Sequence, residues 1–170
     1  MSRLLTLFLE ICLLRKGPQD VPSSGFLVAS TAALGLLSGV IVLSDSFQGP
    51  GGALAAQLLD LLLLTGFIYG GLRFVGSPTR LYQSLAALFG SGTLINVATM
   101  LVLAFSKPAE DGVLTGPGGM LYLFIMTWAL VVVAHILRHT FDIAFLGGIA
   151  LAIAYFLLIN SLVQKLFLVG

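Results

Sequence analysis

Among the residues able to do chemistry, Asp60 stands out, because it sits inside an apolar run from Ala53 to Val75 whose only strongly polar members are Gln57, Asp60 and Arg73. At about 1.5 Å per residue it lies on the order of 10 Å into that run. An unpaired carboxylate is costly there, so it must be solvated, paired or protonated. Gln57 precedes it by one helical turn, and Asn96 stands near the middle of another apolar run, Ser84 to Phe105. The three predict a polar cluster of Gln57, Asp60 and Asn96. Two uses are open: a proton or cation site, or a protonated acid that ties helices together by hydrogen bonds.

The second constellation is His135, His139 and Asp142, which share one face if the helix carrying them continues. That set could ligate a metal ion, but a closed site needs a fourth ligand. The run Arg138 to Asp142 reads instead as a short connection in which Thr140 or Asp142 caps the next helix, so no metal and no cofactor are expected. The same residues, with Arg73 and Arg80, form a basic set suited to anionic lipid head groups. Tyr69, Tyr82, Tyr122 and Trp128 read as interface or packing aromatics.

No enzyme motif is present: there is no GxSxG elbow, no Gly-rich phosphate loop with Lys and no HExxH. The chain is read as a non-enzyme. GPGG occurs twice, at Gly49 to Gly52 and Gly116 to Gly119, each just ahead of an apolar run, and reads as a turn that starts a helix. One cysteine, Cys12, can form no intrachain disulfide.

The elements that must position these groups follow from composition. Hydrophobic residues make up 58% of the 170 and charged ones 9%, where a soluble domain carries roughly 25% charged residues. The eight Lys and Arg and a net charge of +1 offer no footprint for nucleic acid. A membrane helix needs about 20 apolar residues, and five such runs appear, at about 25–44, 53–75, 84–105, 119–137 and 143–163. The fold class predicted is all-α, a polytopic membrane bundle spanning 25–170. It is preceded over 1–24 by a short amphipathic helix and a linker. The opening apolar run, with Glu10 inside it and no small-residue cleavage site after it, reads as uncleaved. It would lie in the interface plane or pack against the bundle.

Six of the eight basic residues, Arg3, Arg15, Lys16, Arg73, Arg80 and Arg138, fall on the N-terminal side of the spans, and two, Lys107 and Lys165, on the other. The positive-inside rule then places the N-terminus in the cytoplasm and the C-terminus outside; the membrane expected is a bacterial inner membrane. Small residues recur at spacing four, and Gly35, Gly39, Gly66, Gly70, Gly90 and Gly148 are the expected sites of close helix approach.

This layout resembles the Yip-domain family, whose small bacterial members share the size, the five closely spaced helices and the short C-terminus. The opening LEICLLRKGPQDVPSS is similar to the start of those proteins, although the DLYGP-type sequence of the eukaryotic members is absent. The resemblance implies a non-enzymatic membrane protein that acts through partners. It transfers no site residues. The expected function is therefore interaction with membrane lipids, a membrane-protein partner or further copies of the chain, as a scaffold or accessory subunit of a membrane complex. The alternative is a small transporter or channel component using Asp60, Gln57 and Asn96.

Overall fold

A backbone in hydrocarbon must satisfy its own hydrogen bonds, and the long apolar runs of this chain do so as helices. In the computed structural model, which describes residues 2–47, 49–105 and 116–168, the chain folds as an all-α bundle with no strand among the described residues. The elements are α1 (Ser2–Cys12), α2 (Gly25–Leu43), α3 (Pro50–Val75), α4 (Leu81–Phe105), α5 (Gly116–Phe141) and α6 (Phe145–Val163). A π-helical turn, Gln164–Leu168, extends α6. Five helices, α2 to α6, are long and apolar enough to cross a membrane. Lys107, Glu110 and Asp111 lie outside the described residues.

The helix ends follow from local chemistry. Ser24 begins α2, its Oγ accepting the Leu27 N–H at 3.4 Å. Both GPGG motifs start helices. Gly49, at φ 123°, adopts a backbone closed to other residues so that Pro50 can open α3, and α5 begins at Gly116. Three helices end in the same way, with a left-handed residue followed by an N–H that bonds the carbonyl five residues back. Ser77 reaches the Leu72 carbonyl at 2.9 Å across Gly76, Ile143 reaches Arg138 at 3.0 Å across Asp142, and Arg15 reaches Glu10 at 2.9 Å across Leu14.

Asp142 therefore closes α5 and does not cap α6. The helix expected to stop at Leu137 runs on to Phe141, and α6 starts at Phe145 after Ala144. An alternating run of apolar and basic residues obscured this end, because Arg138 and His139 look like connection while Thr140 and Phe141 are buried.

In the arrangement, α4 is central, flanked by α2 on one side and α5 on the other. The first of these carries α3 and the second carries α6, and α3 also reaches α4, α5 and α6. The short α1 packs into this bundle against α4 and α5, with Leu7, Phe8, Ile11 and Cys12 buried. Its opposite face, Leu5, Leu9 and Leu13, is exposed. So α1 is a packed element with two apolar faces, one against protein and one outward. Large apolar side chains stand out along the spans, such as Phe74 at 94% exposed and Phe105 at 88%, as expected for surface in contact with lipid.

Candidate functional site

Asp60 meets α6. The Tyr155 hydroxyl donates to its Oδ1 at 2.6 Å and also lies 3.1 Å from its backbone carbonyl. The Tyr155 ring rests against Phe67 at 5.5 Å, and Phe67 in turn meets Phe141 edge-on at 6.1 Å. The carboxylate is thus closed by a phenol and an aromatic stack.

The expected partners of Asp60 lie elsewhere. The Asn96 amide donates to Ser38 Oγ at 3.1 Å, tying α4 to α2. Gln57 lies across Gly39 of α2, filling the space a side chain there would need. The predicted cluster is therefore divided: Gln57 and Asn96 address neighbouring positions of α2, while Asp60 addresses α6. Residues three apart on a helix are about 60° apart around it, and with α2 and α6 on different sides of α3 that angle is enough to separate them. Sequence reasoning missed Tyr155, whose only signal is a hydroxyl in a span whose other polar side chains, Asn160 and Ser161, lie near its end.

The histidines are placed by the continuous α5. His135 is buried, and its Nε2 donates to the Lys16 carbonyl at 3.0 Å, since a carbonyl can only accept. His139, one turn on, meets the His135 ring edge-on at 4.7 Å. Arg138 Nε donates to His139 Nε2 at 3.3 Å, which makes that nitrogen an acceptor and places the ring proton on Nδ1. The Arg138 guanidinium also lies over the Phe145 ring at 5.7 Å. Asp142 occupies the left-handed position that ends α5. Among the described residues no three His, Cys, Asp or Glu side chains converge as metal ligands.

Around these histidines the N-terminal segment is sewn to the bundle. Trp128 Nε1 donates to the Cys12 carbonyl at 2.8 Å, and the Gln83 amide donates to the carbonyls of Val21 at 3.0 Å and Gln19 at 3.4 Å. Phe8 lies on Gly90, whose missing side chain makes room for its ring. Thr140 and Ser84 join α5 to α4 through their hydroxyls at 3.0 Å, and Thr140 also bonds the Ile136 carbonyl. Burial pushes the Cys12 thiol up to about 11, while the Glu10 carboxylate, 2.8 Å from Lys16, raises that ammonium above its ordinary value.

Of the glycines expected at close approaches, Gly35 faces Phe89 and Thr93 of α4, Gly39 faces Gln57, Gly90 faces Phe8 and Gly148 abuts the Ala134 carbonyl of α5. Gly66 and Gly70 face open space, and the close approach on α3 falls instead at Gly71, against Phe141. Their spacing of four marks a face but does not say which neighbour it meets.

The same end holds a polar cavity of about 180 Å3. Its walls are Pro18 and Gln19, the start of α4 with Arg80, Gln83 and Ser84, and the end of α5 with His139, Thr140 and Asp142. One Arg80 nitrogen donates to the His139 carbonyl at 3.4 Å. Chemically this arrangement offers cationic and neutral donors together with one carboxylate, in a recess at the helix ends. No family model matches the chain, and neither a curated protein nor a solved structure shows detectable similarity to it.

Proposed function

We propose that this integral membrane protein is a non-enzymatic interaction protein, a scaffold or accessory subunit that works through lipids and membrane-protein partners at the end of the bundle carrying α1. The observation that supports this reading is how the chemically capable groups are spent. Asp60, Asn96, His135 and Trp128 each hold two segments of the chain together, while the apolar outer face of α1 and the polar recess remain open. A role of this kind is also what the Yip-domain resemblance implies, with the N-terminus in the cytoplasm and the protein in a bacterial inner membrane. Extraction into lipid discs at native expression, followed by intact mass determination, tests it. A partner or lipid in fixed ratio to the 17.9 kDa chain is the expected result; a chain stripped of both overturns the reading.

A proton or cation site at Asp60 is the second reading, favoured by the short Tyr155 contact at a carboxylate within a membrane span. The Asp60→Asn variant separates the two. It keeps the shape and a hydrogen-bond acceptor but removes the ionisable group, so near-normal assembly and function support the first reading and lost ion flux the second.

A further inference from the structure

We infer that the recess between the Pro18 turn, the start of α4 and the end of α5 binds a zwitterionic head group, one that carries a phosphate and a primary ammonium. The inference rests on the interaction reading above and names its ligand.

The charges at this end sort into those already engaged and those left over. Lys16 is paired with Glu10 at 2.8 Å, and the Asp20 carboxylate accepts the Gly17 N–H at 3.0 Å. Arg138 is held by His139 and Phe145, and the Arg73 guanidinium lies over Tyr69 at 5.6 Å. Arg3 and Arg15 lie outside the recess, and the two charges that line it are Arg80 and Asp142. Arg80 spends one donor on the His139 carbonyl, leaving the rest of its guanidinium fork unused. Asp142 has no hydrogen bond or ion pair among the described residues, and the two do not pair with each other.

A cation and an anion that share a recess without meeting call for a ligand bringing both complements. Guanidinium takes phosphate in a forked pair of hydrogen bonds. A carboxylate takes an ammonium with N–H donors. A purely anionic head group would face Asp142 uncompensated, and a purely cationic one would face Arg80. His139, with its proton on Nδ1, adds a neutral donor, while Gln83 has both amide hydrogens committed to Val21 and Gln19.

Position and size agree. Arg80 immediately precedes α4 and Asp142 immediately follows α5, so both stand where apolar spans end and head groups begin. A volume of about 180 Å3 is on the order of six waters at roughly 30 Å3 each, the scale of a head group and not of a whole lipid. The exposed Phe145 and Leu146 at the start of α6 supply an apolar path for attached chains.

The test is native mass spectrometry of the full chain with phosphatidylethanolamine, phosphatidylcholine and phosphatidylglycerol, each at equal concentration. Phosphatidylethanolamine is expected to be retained about tenfold better than the other two, because only it offers both phosphate and ammonium N–H groups. Asp142→Asn, a residue that accepts the left-handed backbone, should erase the preference over phosphatidylglycerol. Arg80→Gln should weaken all three lipids. Both residues are exposed, so neither change threatens the fold. Competition by free phosphoethanolamine would assign the site to a soluble ligand, and its failure to compete would assign it to the lipid. Equal retention of the three lipids, or a preference untouched by both variants, overturns the inference while leaving lipid interaction standing. Loss of every lipid and partner overturns both.

Discussion

The two ends of this bundle are built differently. Where α2, α4 and α6 begin, Ser84 to Leu88 of α4 are buried without interruption, and so are Ala134 to Leu137 of α5. Six side-chain bonds cross between segments there, two from Gln83 and one each from Trp128, His135, Arg80 and the Thr140 and Ser84 pair. Toward the opposite end the described burial thins to small residues such as Ser38, Gly39, Ala53, Ala56 and Val102, and two pairs, Asn96 with Ser38 and Tyr155 with Asp60, are hydrogen-bonded between helices. In lipid there is little hydrophobic force between helices, so association depends on close packing and hydrogen bonds. The dense end has both because α1 covers the face of α4 that lipid would otherwise occupy. Packing here is local to where a sixth helix was added.

The largest effect that could break this comparison is expected at Gly148. A side chain there would strike the Ala134 carbonyl, a backbone atom that cannot swing aside, so Gly148→Leu must push α6 from α5. A loss of about 3 kcal/mol is expected. Gly66→Leu points into open space and should change stability by less than about 0.5 kcal/mol. Thermal unfolding in detergent compares the two directly. If Gly66→Leu is as damaging as Gly148→Leu, the seam on α3 is buried between copies of the chain.

An intermediate effect is expected where α1 docks. Trp128→Phe leaves the Cys12 carbonyl without its donor, a cost of about 1 to 3 kcal/mol for a buried acceptor. Cys12 itself reports it. The thiolate is the reactive form, and burial moves its formation from the ordinary 9.0 to about 11. The undocked thiol loses its proton first, so docking is undiminished below pH 9 and weakens as pH rises from there toward 11. Alkylation by a maleimide should therefore be slow at pH 8, steepen above pH 9, and run about tenfold faster in Trp128→Phe at pH 8. Equal rates in the two proteins would mean that the indole bond does not hold α1.

Some of this was legible in the residues. Five spans followed from run length, because hydrocarbon leaves helices as the only solution for such segments. The two faces of α1 were less so, since its broad apolar face includes both Ile11, which is buried, and Leu9, which is exposed, and periodicity does not say which part of that face the bundle covers. The end of α5 was hidden by Arg138 and His139, polar residues that snorkel at a helix terminus as readily as they populate a loop. The candidate sites were legible as residue types but not as partnerships. Asp60 was recognisable as needing a partner, whereas the choice of Tyr155 over Asn96 depends on which helices flank α3, and periodicity carries no such information. The recess was least visible, because Arg80 and Asp142 are 62 positions apart and meet only through tertiary packing.

The smallest predicted effect is at Leu14, which closes α1 with φ 61° although it is not glycine. A branched side chain in that conformation costs roughly 1 to 2 kcal/mol, and its exposed position leaves little packing to offset the cost. Leu14→Gly removes the strain but adds freedom to the undocked chain, about 0.5 to 1 kcal/mol in the other direction. The net gain should be about 0.5 kcal/mol, seen as slower alkylation of Cys12 by roughly twofold. Gly76, which closes α3 by the same bond pattern, already has this advantage. Faster alkylation in Leu14→Gly would show that the Leu14 side chain anchors α1, which would extend the dense end one residue beyond the buried face.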